Sequence, residues 1–167
     1  MLKLLSRGAA GIVVMTGITV TWSPYHSTLY PYTISQPSSF KHAVLSLSSD
    51  DERVDYFSPA LGSATTNVTV SAQQGGSLQP AVEYLRSLDG HHIRQSGWIE
   101  VLGQLRPLMR ADFNGYTGKW TIEEVNFTAQ GYNWRVSCSY AARYSKLRSL
   151  MLRMIRSFKL LPSTHAK

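Results

Sequence analysis

Apolar positions recur with a period of two over most of the chain, the pattern of strands that bury one face. Tyr30, Tyr32 and Ile34 alternate toward the turn residues Gln36-Pro37-Ser38-Ser39, and Ala43, Leu45 and Leu47 alternate beyond them, which predicts a first hairpin. A polar loop from Ser48 to Arg53 leads to Val54-Asp55-Tyr56-Phe57, then to a turn through Ser58-Pro59 and Gly62. From Thr66 to Ala72 the alternation is regular: Val68, Val70 and Ala72 share one face, and Asn67, Thr69 and Ser71 the other. Gln73-Gln74-Gly75-Gly76 breaks that strand. Ser77 can then cap a helix over Leu78 to Leu88, closed by Gly90, with Pro80 in its first turn where a missing N–H is tolerated.

Two further strands, Gly97 to Leu102 and Arg106 to Phe113, are expected around Gly103 and Pro107, with turn chemistry at Asn114-Gly115 and Thr117-Gly118. The strongest hairpin follows. Trp120 to Thr128 turns at Gln130-Gly131 into Trp134 to Ala141, with Trp134, Val136, Cys138 and Tyr140 on one side and Arg135, Ser137 and Ser139 on the other. At 100° per residue, Leu147, Leu150, Met151, Met154, Ile155, Phe158 and Leu161 form an apolar stripe, which predicts an amphipathic helix from about Arg143 to Leu160.

The beginning of the chain stands outside this alternation. Lys3 and Arg7 precede an uncharged run from Gly8 to Trp22. A spanning helix needs about 20 apolar residues, and a signal-peptide core roughly 7 to 15 after a basic start, so the length favours export. Thr21 and Ser23 are tolerable residues for a cut before Pro24, while Leu2, Leu4 and Leu5 can lengthen the run into an anchor with Lys3 and Arg7 on the cytoplasmic side. An organellar transit peptide fits the lack of acids but not the shortage of Arg and Ser. Residues 1–23 are therefore read as a signal peptide or membrane anchor, 24–29 as a linker, 30–161 as one domain and 162–167 as a flexible tail.

Charge changes the picture because of where it sits. The net charge is +7. Residues 24–124 hold seven basic and ten acidic side chains, whereas after Glu124 there are eight cations and no acid. Arg135, Arg143, Lys146, Arg148, Arg153, Arg156 and Lys159 thus form a basic segment around the closing helix, suited to an anionic membrane surface or an acidic protein patch. A solvated helix face explains the same residues.

Candidate chemistry is sparse. The lone Cys138 excludes an intramolecular disulfide and a Cys-based metal cluster, and no Cys lies where a lipoprotein would be cleaved. Asp89, His91 and His92 are the one cluster of metal-ligand types, but adjacent histidines on a turn point different ways. Asp50, Asp51, Glu52 and Asp55 lack the spacing of a calcium loop and read as a solvated turn. Glu123 and Glu124 fall on opposite faces of one strand, unlike a carboxylate pair acting on one substrate. There is no Gly-x-Ser-x-Gly elbow and no phosphate loop. Asn67-Val68-Thr69 and Asn126-Phe127-Thr128 match the glycosylation triplet but sit in predicted strands.

YTISQPSSF at residues 32–40, DYFSPALGSATTNVTVSAQ at 55–73, WTIEEVNFTAQGYNWRVSCSYA at 120–141 and MIRSFKL at 154–160 together resemble the PsbP-like superfamily. That superfamily takes in PsbP subunits of photosystem II, LpqN-type lipoproteins and Ran-binding import factors of the same fold. The resemblance implies an α+β domain, a central antiparallel β-sheet flanked by helices in an α/β/α sandwich, and a binding or assembly role instead of catalysis. The chain lacks the lipobox of the LpqN type and the long N-terminal extension of plant PsbP.

The expectation is a non-catalytic factor without a cofactor, exported or membrane-tethered, that assembles with a membrane protein complex or an anionic membrane through the basic segment. A photosystem-associated role and the thylakoid lumen are among the places the resemblance implies. One alternative is an exported small-ligand or metal carrier, its pocket lined by Trp98, Trp120, Trp134 and Tyr140. Another is a nucleic-acid-binding module, against which export argues.

Overall fold

The structure is a computed structural model that describes residues 20–47, 52–59, 66–75, 80, 93–115 and 118–162. Ten strands are present among them: β1 (Trp22–His26), β2 (Tyr32–Pro37), β3 (Phe40–Leu47), β4 (Glu52–Pro59), β5 (Asn67–Gln74), β6 (Ile93–Val101), β7 (Gln104–Gly115), β8 (Gly118–Ala129), β9 (Tyr132–Ala141) and β10 (Lys159–Leu160). A turn of 3-10 helix, Ala142–Leu147, runs into α1 (Arg148–Arg156). The strands make two sheets, one of seven in the order β3-β4-β5-β9-β8-β7-β6 and one of three in the order β1-β2-β10. All pairings are antiparallel.

Of the expected helix-flanked antiparallel sheet, the described residues show two antiparallel sheets and a single α-helix. The helix expected over Leu78 to Leu88 lies, apart from Pro80, outside the described residues, as does the apolar run before Val20. The expected first hairpin is corrected. β2 and β3 follow each other across Ser38-Ser39 but join different sheets, so the turn is a corner where the chain changes layer. β2 instead pairs with β1, Trp22 opposite Pro37 and His26 opposite Thr33, and Pro24 to His26, the first half of the stretch read as the linker before the domain, is strand.

The closing helix is shorter than its apolar stripe. Tyr144 departs from helical geometry at φ −106°, ψ 15°, which leaves Ala142–Leu147 as 3-10. At the other end Ser157 stops the helix. Its hydroxyl donates to the Met154 carbonyl at 2.6 Å and accepts the Ser35 N–H at 2.8 Å, tying the helix end to β2. The residues beyond then extend, and Lys159 and Leu160 pair with Thr33 and Tyr32.

Two of the tight hairpins use left-handed backbone at two successive positions, Leu102-Gly103 (φ 56° and 70°) and Gln130-Gly131 (φ 51° and 75°). Those values fit the turn whose twist matches paired strands. Pro107 sits inside β7 opposite Trp98, ahead of Met109 where the pairing with β8 begins, so its missing N–H removes no ladder bond on that side.

The core lies between the seven-stranded sheet and the layer formed by α1 and β2. Directly opposed residues Val68 and Cys138, Val70 and Val136, and Phe127 and Trp134 build the sheet side. Met151, Leu152, Met154 and Ile155 supply the helix side. Trp134 is the hub. Its ring lies 5.1 Å from Phe158, 5.8 Å from Tyr32 and 6.4 Å from Phe127, and its Nε1–H donates to the Ala129 carbonyl at 3.0 Å. Both sheets and the end of the helix thus converge on one indole.

Trp134→Ala is expected to lose about 3–5 kcal/mol of unfolding free energy in urea titrations. Leu105→Ala, at a residue 72% exposed, should stay within about 0.5 kcal/mol of the parent.

Candidate functional site

Of the seven basic residues expected to form one docking face, five are exposed and two, Arg135 and Arg148, bond to the sheet. Arg143, Lys146, Arg153, Arg156 and Lys159 are exposed along the 3-10 turn, α1 and β10. Arg143 stacks on Tyr144 at 5.0 Å and Arg153 on Trp22 at 4.2 Å, contacts that order the guanidinium without neutralising it. Arg135 faces away from the helix. Its neighbours Trp134 and Val136 point into the core, so strand alternation carries Arg135 to the other side of the sheet, where its Nε donates to Ser71 Oγ at 3.2 Å.

Arg148 is the second correction. Its Nε and Nη2 donate to Glu123 Oε2 and Oε1 at 2.6 and 2.8 Å, a two-pronged pair that joins the start of α1 to β8. Glu123 is fully buried and also accepts from Tyr140 Oη and Ser96 Oγ, each at 3.2 Å. Hydrogen bonding to Glu123 raises the Arg148 pKa further above its ordinary value. Burial, and then the Glu123 charge, push the Tyr140 phenol up to about 12. Signals for this pairing exist in the sequence: Glu123 shares strand parity with Val125 and Phe127, and the residues three, four and seven after Arg148 are Met151, Leu152 and Ile155, all buried.

A second buried carboxylate was not expected. Asp55, read as part of a solvated acidic turn, is fully buried in β4 with the parity of Phe57. It accepts from Tyr32 Oη at 2.7 Å, Tyr25 Oη at 3.0 Å, His42 Nε2 at 2.7 Å and the Ser27 hydroxyl. The donors come from β1, β2, β3 and the loop after β1, so one acid binds the small sheet to the large one. Burial, with Asp55 as the next cause, raises both tyrosine pKa values and keeps the phenols protonated as donors. A Ser, a His and an Asp therefore meet here, but in the wrong order for nucleophilic catalysis. Ser27 gives its proton to the carboxylate and accepts the N–H groups of Leu29 and Tyr30, while His42 Nε2 contacts Asp55 and the Tyr25 hydroxyl.

A third cluster lies on β7 and β8, where Arg110 reaches Asp112 Oδ1 at 2.7 Å and Thr121 Oγ1 donates to the same oxygen at 2.6 Å. Hydrogen bonds from Arg110 hold the Asp112 carboxyl below the usual carboxylate range, against the opposing effect of burial. Glu124 is buried on the face opposite Glu123 and accepts from Asn126 Nδ2 at 2.6 Å. Asn67 donates to Ser139 Oγ at 3.1 Å. Both glycosylation-triplet amides thus bond within the sheet.

The aromatic residues expected to line a carrier pocket do not converge. Trp134 and Tyr140 are core residues, Trp98 is 61% exposed near the edge of the sheet, and Trp120 stacks on Phe113 at 6.1 Å on the other face. Asp89, His91 and His92 lie outside the described residues. Among the described residues no group of three or more His, Cys, Asp or Glu can hold a metal ion. Burial, and then the nearby Glu123 charge, raise the Cys138 thiol pKa, so this cysteine stays protonated inside the core.

No protein-family model matches the chain, and no curated protein is significantly similar to it. Solved structures are. The solution structure of cyanobacterial PsbP (CyanoP) from Synechocystis sp. PCC 6803 superposes with a TM-score of 0.56 at 16% identity, covering 94% of this chain and 98% of that one. A crystal structure of a protein from Bacteroides thetaiotaomicron VPI-5482 gives 0.54 at 12% identity, over 86% of this chain and 50% of that one. Two antiparallel sheets packed about a single described α-helix define the class, and within it this chain has the PsbP-like fold.

Arg148→Ala is expected to lose about 3 kcal/mol of stability, the low end for a broken buried pair, because Arg148 is 39% exposed and water screens it. Arg156→Gln, measured in the same chemical denaturation series, should change stability by less than about 0.5 kcal/mol. Acid sensitivity has a definite sign at Asp112. Its folded pKa is depressed, so its stabilisation is present above the unfolded carboxylate value of about 4 and is lost as pH falls through the folded one. The stability gap between the parent and Asp112→Asn should therefore be widest near neutrality and close at low pH.

Proposed function

We propose that this protein is a non-catalytic, extracytoplasmic binding or assembly factor, tethered to a membrane and docking on a membrane protein complex through the cations around α1. The single observation that carries the reading is the exposed row Arg143, Lys146, Arg153, Arg156 and Lys159, with no described acid in ion-pair contact with any of them. Such a set, carried on the 3-10 turn, α1 and β10, meets an acidic surface without first breaking an ion pair to a described acid. The ionisable groups buried behind it hold the fold together. Asp55 and Glu123 each accept several internal hydrogen bonds, an arrangement that favours binding over turnover. Tethering is supported by the uncharged run of residues 8–22 after a basic start. Among the described residues no helix is long and apolar enough to cross a membrane. The likeness to cyanobacterial PsbP brings a photosystem-associated, lumenal setting into the proposal.

The test is affinity capture from native membranes with the parent and with the triple variant Lys146→Gln, Arg156→Gln, Lys159→Gln, which leaves the Arg148–Glu123 pair intact. Recovery of the partner complex should fall at least tenfold, and salt should reproduce the loss with the parent. Equal recovery by the two proteins at matched folding stability would remove the basic row from the proposal.

A further inference from the structure

The hairpin of β6 and β7 leaves large apolar side chains in water. Trp98 is 61% exposed and Leu105 72%, and Pro107 is exposed as well. The register puts them on one surface. Trp98 stands opposite Pro107 and Glu100 opposite Leu105, and the two pairs are two residues apart on both strands, beyond the bulge between Gln95 and Gly97. Ile99 and Val101, which alternate with Trp98 and Glu100, are buried in the core, so the patch lies on the face of the sheet turned away from α1. None of the cations given to the docking proposal belongs to it.

β6 is also the last strand in its sheet, so its outer edge has no strand partner among the described residues. The turn decides which backbone groups face that edge. Val101 and Gln104 are register partners that flank the two-residue turn Leu102-Gly103, which makes them a hydrogen-bonded pair. Alternation then points the N–H and C=O of Ile99 and Val101 at β7, and those of Trp98 and Glu100 outward. A strand laid along this edge bonds to the main chain of the same two residues whose side chains belong to the patch.

We infer that the outer edge of β6 takes an extended segment of a partner protein by strand addition, with an apolar side chain beside Trp98 and a Lys or Arg two positions away beside Glu100. Charge selects the occupant. Glu100 is exposed and in ion-pair contact with no described cation, so the cross-strand neighbour that complements it is basic. The stretch Gly97–Val101 holds no cation, so a second copy paired through its own β6 does not supply one. Trp98 provides the anchor, since a tryptophan ringed by further contacts is the side chain that most often dominates an interface. The inference rests neither on the tether nor on the basic set around α1.

The test uses the full chain, isotope-labelled for NMR in phosphatidylcholine nanodiscs, and a blocked peptide of sequence TLTKTLT, whose symmetry serves either strand direction. With peptide at about ten times its Kd, amide exchange at Trp98 and Glu100 should slow about tenfold while Ile99 and Val101 hardly change. Trp98→Ala should weaken binding about tenfold. Glu100→Gln should weaken it about threefold, and Glu100→Lys should turn the preference to a peptide with glutamate in place of lysine. Both positions are exposed, so the variants keep the fold. No protection at the solubility limit of the peptide overturns the inference, and so does equal binding of the lysine and glutamate peptides. Two further outcomes overturn it by naming another occupant. Protection of the two amides that rises with protein concentration alone marks a second copy, and a Trp98 indole hidden from a soluble gadolinium chelate before peptide is added marks lipid.

Discussion

A carboxylate removed from water must find its hydrogen bonds inside the protein, and Asp55 finds four. That requirement governs how the two sheets meet. Tyr25, Ser27 and Tyr32 belong to the small-sheet side and His42 to β3, so the charge is satisfied only when the layers are in register. Apolar packing alone would tolerate some sliding between the layers, because dispersion and hydrophobic burial have little direction. An acid that needs four donors does not tolerate it. The aromatic rings around it, Tyr25 at 5.0 Å and His42 at 5.1 Å from Phe57, leave the protein's own donors in place of water.

Glu123 applies the same constraint at the other end of the core. The two buried acids divide the labour: Asp55 registers sheet against sheet, and Glu123 registers the first turn of α1 against β8 and the bulged stretch of β6 through Ser96. The Glu123–Arg148 pair is not a strong net source of stability, since removing an ion pair from water offsets most of its attraction. Their contribution is specificity of arrangement, with Trp134 and its neighbours supplying the bulk of the burial between them. The helix is thereby held by Arg148 at its start, and with Arg135 turned to the other face of the sheet by strand parity, a basic segment of seven residues yields an exposed set of five.

Strands with regular alternation were legible in the sequence. β5 and the β8–β9 hairpin match their expected bounds within a few residues, and the inward faces of Val68, Val136 and Cys138 follow from parity alone. The resemblance in strand order also held at the level of the fold. What escaped depended on partners distant along the chain. β1 looks like a linker because Ser23-Pro24-Tyr25-His26 has no apolar alternation, and only β2 beside it makes it a strand. Asp55 reads as solvated because its four donors are scattered over residues 25 to 42. Ser157 gives no warning in sequence that it will stop the helix, since the group it holds, the Ser35 N–H, is 122 residues away.

The composition of the small sheet has a temporal meaning. β2 is sandwiched between a strand from residues 22–26 and one from residues 159–160, so its neighbours come from opposite ends of the domain. A chain emerging from a ribosome or a translocation pore can pair β8 with β9 as soon as the Gln130-Gly131 turn is free, but the three-stranded sheet cannot be completed until the last described residues have followed. The small sheet is sealed by the last strand of the domain, Lys159–Leu160. Such sequence-distant closure is paid for in folding rate, and it leaves β2 with one edge open until Lys159 and Leu160 have been made.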